Sequence, residues 1–411
     1  MILIYVLKDV SVSTGIIIED IRVCTPLWTD VTVAYTGGYE SQRRRSEMNE
    51  NGIEYSYVAR SGPESPRNDT ASIAELPGGR LMVVWHKYEP SREGTSDFGR
   101  ANIACRYSSD GGRTWENERI LVGMESGDVN VQAPALHLLP SGELLLICLR
   151  AHAKDSTSML LYRSRDLGEN FTFDRAIWEH SDGQWLQGSN SHLLGLASGR
   201  LLLPFHGGTG DQGGQHNVIR CFYSDDDGVT WALGPDTIDI PMRGAMEASV
   251  AELPDGELCM SIRTQLGSVF LTHSKDGGAD WSLPQATGPA APESSSCLRR
   301  FPGTDSLVLF WNGSLYDPRH HHYGNRTPLS AARSDDRGNS WHVIGDIDGG
   351  DTMLTNLGCT FTSDGFALVT YVHVDDPDVN EGRYVGDPDA SRWGEGHIGL
   401  KCAIIPGSWF D

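Results

Sequence analysis

The 411-residue sequence has no apolar run near the ~20 residues that a membrane-spanning helix needs. Its opening, MILIYVL, gives seven apolar residues before Lys8-Asp9. No basic stretch precedes them and no small-residue cleavage site follows, so no signal peptide is expected and the cytoplasm is the default compartment. Basic residues are few: 33 Lys and Arg stand against 55 Asp and Glu, a net charge of −22. That field repels polyanions and argues against nucleic acid and anionic membranes as partners. A small anion is another matter, since a local arginine cluster can hold one. The eight cysteines form no Cys-x-x-Cys pair and no metal spacing. Cys148, Cys221 and Cys259 lie inside apolar runs and are expected to pack as reduced small hydrophobes. His320-His321-His322 are consecutive, a poor arrangement for converging on one ion. No metal and no cofactor are expected.

What the chain does have is Gly (47), Trp (11) and short apolar runs bounded by turns, which together read as all-β. From about residue 66 two signals alternate. The first is an apolar–turn–apolar hairpin, found at 71–85, 134–149, 191–205, 248–262, 298–311 and 358–372. Turn glycines Gly79, Gly142, Gly199 and Gly256 are 63, 57 and 57 residues apart, and Gly365 closes the last hairpin. The second is Ser-x-Asp-x-Gly-x-Thr-Trp, complete at Ser108–Trp115 and Ser224–Trp231. Ser274–Trp281 and Ser334–Trp341 are near-complete copies, and Ser164–Phe171 is a degraded one. In such a turn Ser and Asp bond their own backbone, Gly supplies positive φ, and the aromatic packs between sheets.

Six hairpins at this spacing predict a six-bladed β-propeller of four-stranded antiparallel sheets. The propeller is expected over 61–411. Residues 1–60, with possible strands at Ile16–Val23 and Val31–Tyr35, are expected partly to complete the last blade. In this topology the Gly turns and the Ser-x-Asp turns share one face. The other face is built from residues before strand 1 and after strand 2 of each blade. Polar residues collect there: Arg67-Asn68-Asp69, Asn130, Gln132, Asn190, Glu247 and Asn356 before strand 1, then His86, Arg150, His152, His206, Arg263 and Asn312 after strand 2. Asn190, Glu247 and Asn356 each precede their turn glycine by nine residues, which sets them at equal depth around one cavity.

The Ser-x-Asp turns resemble the Asp boxes of the sialidase (neuraminidase) superfamily in its six-bladed group, over roughly residues 66–372. The resemblance implies three arginines that hold a substrate carboxylate, and Arg67, Arg263 and Arg326 look like these three. It implies an acid/base aspartate on a loop, which Asp97 in SREGTSDFGR resembles, with Glu89 and Glu93 as rival carboxylates. Glu247 resembles the glutamate that takes a proton from a tyrosine nucleophile. That tyrosine is absent from its expected place, where the chain reads Met353-Leu-Thr-Asn-Leu-Gly-Cys with Asn356 near the position. Tyr316, Tyr323 and Tyr371 are candidate substitutes.

The resulting expectation is an exo-glycosidase acting on a terminal carboxylated sugar such as sialic acid, with Asp97 and Glu247 catalytic. Arg67, Arg263, Arg326, Asn190 and His206 would bind the acidic glycan. Two alternatives share the fold. One is another glycan-cleaving enzyme of lyase or rhamnosidase type, using histidines among His86, His152 and His206. The other is a non-catalytic glycan-binding propeller.

Overall fold

A computed structural model describes residues 47–93, 96–179, 186–188, 192–208, 216–316, 325–350, 352–375 and 397–411. Asn190, His320-His321-His322, Tyr323 and the possible strands before residue 46 lie outside the described residues.

Two strands, β1 (Glu47–Met48) and β2 (Glu54–Ala59), precede the first complete blade. Blade one is β3 (Asn68–Glu75), β4 (Leu81–Tyr88), β5 (Ala101–Ser108) and β6 (Glu116–Val122). Blade two is β7 (Asn130–Leu138), β8 (Leu144–Ala153), β9 (Ser156–Ser164) and β10 (Thr172–Trp178). In blade three the inner strand is split into β11 (Leu186–Gly188) and β12 (Leu194–Gly195), both paired with β13 (Leu201–Gly208). It continues through β14 (Asn217–Ser224) and β15 (Ala232–Leu233). Blade four is β16 (Met246–Glu252), β17 (Leu258–Arg263) and β18 (Phe270–Ser274). Blade five is β19 (Cys297–Arg300), β20 (Leu307–Asn312), β21 (Leu329–Ser334) and β22 (His342–Asp348). The last sheet holds β23 (Met353–Phe361), β24 (Phe366–Asp375) and β25 (His397–Pro406), and runs on into β2 and β1.

The fold is therefore all-β, an antiparallel six-bladed propeller. Blade four departs from four regular strands. Its outer position is taken by the bridges Leu271↔Gln285 and Ser268↔Ala290. Pro284, Pro289 and Pro292 lie in that stretch, and a residue without an N–H cannot complete a ladder. The inner strands β3 and β4 are buried almost throughout, while the outer strand β6 is mostly exposed. A strand covered on both faces must be a near-continuous apolar run, which is why the hairpins stood out in the sequence.

Each Ser-x-Asp turn is tied as its residue types dictate. The glycine N–H donates to the serine Oγ at 2.8 Å in Gly112 and 2.9 Å in Gly168, Gly228 and Gly278. The aspartate accepts from the residue four further on, as in Thr114 Oγ1 to Asp110 Oδ2 at 2.6 Å. These bonds pull the pKa of Asp166 and Asp226 down to about 2. Gly-turn and Ser-x-Asp-turn residues meet across one face, as in Arg80 with Glu169 at 3.0 Å and Glu143 with Arg165 at 2.8 Å. The opposite face is left to the polar ring. Seven described cysteines are free and buried, and burial pushes the Cys148, Cys221 and Cys259 thiols up to about 12, so they pack as inert small hydrophobes. Among the described residues no helix is long and apolar enough to cross a membrane.

Candidate active site

The nine-residue offset has a backbone cause. Thr70, Ala133, Glu247 and Asn356 each stand nine residues before Gly79, Gly142, Gly256 and Gly365. Each has positive φ, at 45°, 51°, 43° and 54°. At each one the pairing between inner strand and partner slips, between Asp69 and Ala71, Gln132 and Ala135, Met246 and Ser249, and Thr355 and Gly358. A left-handed non-glycine residue costs about 1–2 kcal/mol, and a bulge re-aims its side chain. Four inner strands thus carry the same strained bulge at the same depth. The equal offset points to this position for Glu247 and Asn356, and Thr70 and Ala133, not named from the sequence, obey the same rule.

Around this ring runs one hydrogen-bonded network. Arg67, buried just ahead of β3, donates from Nε to Asp69 Oδ2 at 2.7 Å and pairs through Nη1 with Asp97 Oδ1 at 2.9 Å. Asp69 Oδ1 accepts from Asn356 Nδ2 at 2.6 Å and from the Thr70 N–H at 2.6 Å. Thr355, beside Asn356, accepts from Arg326 Nη1 at 3.2 Å. Arg326 Nη2 donates to the Glu293 carbonyl at 2.9 Å, and Asn312 fixes the Arg326 backbone by donating to its carbonyl at 3.0 Å. The Glu293 carboxylate accepts from Arg263 at 3.1 Å and also from Arg243. Arg263 reaches Glu247 Oε1 at 2.7 Å. The Glu247 N–H donates to His206 Nδ1 at 3.3 Å, which leaves the ring proton on Nε2. Arg67, Arg326 and Arg263 are all buried within this one network, though they come from widely separated parts of the chain.

The electrostatics follow from burial and pairing. Burial raises the pKa of Glu247, but Arg263, then His206 and Arg326, outweigh it and hold the carboxyl below its ordinary range. Burial likewise raises Asp69, and Arg67 with His86 and Asn356 drives it well below the usual value. Burial lowers His206 to about 4, so its ring is neutral at pH 7. Glu247 Oε2 and Glu293 Oε2 are buried and accept no hydrogen bond among the described residues. That leaves Glu247 an ionised oxygen with a free lone pair, the requirement for a base.

The remaining candidates sort plainly. Asp97 has an exposed side chain against Arg67, whereas its rival Glu89 is occupied by Asn102 at 2.6 Å. Tyr371 is not at the hub: it is fully buried in β24 and donates to Asp348 Oδ2 at 2.6 Å. Tyr316 is half-buried, and its hydroxyl pKa is raised by burial and by Glu293 and lowered by Arg243. His86 lies 3.8 Å from Asp69, while His152 bonds Ser158 at 2.9 Å in blade two. Asp69 falls in the polar ring expected from the sequence but without a role there, and Glu293 and Arg243 are network residues not named from the sequence. Glu293 had a usable signal, because it opens the run just ahead of the blade-five inner strand, where the other blades supply polar residues. Among the described residues no group of three His, Cys, Asp or Glu side chains could hold a metal.

A family model described as "BNR repeat-like domain" matches residues 79–398. Solved structures share the architecture at low identity. The NanB sialidase from Streptococcus pneumoniae is similar at a TM-score of 0.65 and 14% identity, over 87% of this chain and 71% of that one. The intramolecular trans-sialidase from Ruminococcus gnavus, solved with oseltamivir carboxylate, gives 0.65 and 14% over 86% and 97%. A protein of unknown function from Dyadobacter fermentans gives 0.63 and 15% over 86% and 99%.

Proposed function

Because the chain belongs to the BNR repeat-like domain family, with a sialidase-like propeller fold, we propose that it is an exo-glycosidase removing a terminal carboxylated sugar, such as sialic acid, from a glycan. The observation that carries this reading is the single network joining Arg67, Arg326 and Arg263. Planar guanidinium forks joined in one network suit a carboxylate bound in bidentate fashion. Asp97, on its loop over Arg67, gives its proton to the glycosidic oxygen, which keeps the bonding pair and leaves as an alcohol. Water attacks the anomeric carbon and loses a proton to Glu247, whose Oε2 is free to accept it. With Asn356 near the expected tyrosine position and Tyr371 occupied elsewhere, we favour direct attack by water; Tyr316, close enough to Glu293 and Arg243 for both to shift its hydroxyl, is the described tyrosine that remains as a nucleophile candidate.

One observation favours a second reading, a glycan-binding propeller without turnover. Each arginine already has partners inside the protein: Asp69 and Asp97 for Arg67, Glu247 and Glu293 for Arg263, and Thr355 with the Glu293 carbonyl for Arg326. A hydrolysis screen of aryl glycosides of sialic and related acids, run with Asp97→Ala and Glu247→Gln, separates the two. Turnover by the wild type with kcat lower by about 10²-fold or more in both variants supports the enzyme. Binding of acidic glycans with no turnover supports the second reading, and variants equal to wild type remove both residues from the mechanism.

A further inference from the structure

We propose that Asn130 is a positioning residue for the acid, its carboxamide clamping the backbone that carries Asp97. This rests on the glycosidase reading above. Asn130 opens β7, the inner strand of blade two, and its side chain is fully buried. Its Nδ2 donates to the Asp97 carbonyl at 2.9 Å and to the Gly99 carbonyl at 3.1 Å. Both acceptors are carbonyls, so the amide is oriented with its NH2 toward the loop, and Oδ1 takes no hydrogen bond among the described residues. A buried asparagine that spends both donor hydrogens on one loop serves that loop.

The loop needs such a clamp. Its stem is closed by the Glu89 N–H to the Arg100 carbonyl at 2.8 Å, and a turn is made by the Gly99 N–H to Ser96 at 2.8 Å. The Asp97 side chain is 69% exposed, so packing does not fix it. The Arg67 ion pair holds its carboxylate and the Asn130 clamp holds its carbonyl, while the neighbouring Phe98 ring lies under Lys154 Nζ at 5.1 Å. Arg67 holds the carboxylate itself and, on the glycosidase reading, must share its guanidinium with the substrate. Asn130 holds the backbone and is untouched by that exchange. When the Asp97 O–H bond breaks, the proton must meet the glycosidic oxygen within hydrogen-bond reach, and a 1 Å misplacement costs on the order of 10²-fold in rate.

The test is the dependence on leaving group. A poor leaving alcohol, such as a second sugar, needs the acid, whereas 4-nitrophenol leaves without much help. In Asn130→Ala, kcat on a sugar-linked substrate should fall by about 10²-fold with KM nearly unchanged, and on the 4-nitrophenyl glycoside by less than about five-fold. Asn130→Asp, which turns an oxygen toward the two carbonyls, should behave the same way, and Asn130→Ala placed on Asp97→Ala should cost nothing further. Equal losses on both leaving groups, a change in KM alone, or full additivity with Asp97→Ala would overturn the proposal. Hydrogen exchange of the Ser96–Gly99 amides reads the clamp without any substrate. Exchange at least ten-fold faster in Asn130→Ala supports it, and unchanged exchange refutes it. A wild type inert toward every glycoside sinks the glycosidase reading and the catalytic role of Asn130 with it, while the exchange result still decides whether the clamp exists.

Discussion

Arg67 and Asp69 lie two residues apart, both buried, and the guanidinium bonds the carboxylate through two nitrogens. Removing one partner of a buried pair leaves the other charge uncompensated, so Asp69→Asn should lower stability by about 3 kcal/mol at pH 7, read by denaturant unfolding. The pH dependence has a definite sign. The folded-state pKa of Asp69 lies below the ordinary 3.8, so its contribution is complete above that value and is lost as pH falls toward the folded one. The gap between wild type and variant should therefore narrow below about pH 4, and a gap constant with pH would contradict the pairing. Glu247 is likewise held below its ordinary 4.5, so the acid limb of kcat/KM set by this base should lie under pH 4.5 and be absent in Glu247→Gln. At this scale the three arginines are named through the family resemblance, which matches each to its place beside a recognisable hairpin or loop. Asp69 and Glu293 stand ahead of the apolar inner-strand runs, which puts them on the polar face, but a carboxylate in Arg-Asn-Asp or Pro-Glu-Ser has no local mark of burial. What defines them is a guanidinium, in the case of Glu293 one from another part of the chain.

Gly244 and Gly256 flank β16 with nearly the same backbone, φ of 84° and 83°. A Cβ on Gly256 would meet nothing within 4 Å, whereas one on Gly244 would lie 1.8 Å from the Asn217 carbonyl oxygen. Gly256→Ala should cost about 1 kcal/mol for the left-handed backbone alone. Gly244→Ala must also separate two strands, since Ala245 and Asn217 are joined by an N–H to carbonyl bond of 2.9 Å, and should cost about 3 kcal/mol more. Equal melting temperatures for the two variants would refute this. Hairpins and box turns were legible because turn chemistry is local. The outer edge of blade four was not, because prolines break the strand into single bridges. The left-handed bulges left only their nine-residue spacing as a trace.

The ring of blades closes where β2 pairs with β25. Val58 of β2 is fully buried against Leu400 and Ile404 of the last sheet and Val83 and Trp85 of the first blade. The Val58 side chain lies in an apolar cluster, so burying a carboxylate there by Val58→Asp should lower the melting temperature of the whole propeller in one cooperative step. Loss of only a minor early transition would show that the seam is not part of the cooperative unit. Part of residues 1–60 is expected in the last blade from the sequence, but the register of β2 on β25 has no mark there, because about 340 residues separate the strands and neither names the other. The same closure brings Arg67 beside Asn356 and lets one network run from the first blade to the fourth. The most direct measurement is kcat/KM for an aryl sialoside against its methyl ester, which removes the carboxylate charge and adds one methyl group. The account predicts preference for the free acid by on the order of 10⁴-fold, largely erased in Arg263→Ala. Equal hydrolysis of acid and ester, or an Arg263→Ala variant that discriminates as well as wild type, would contradict it.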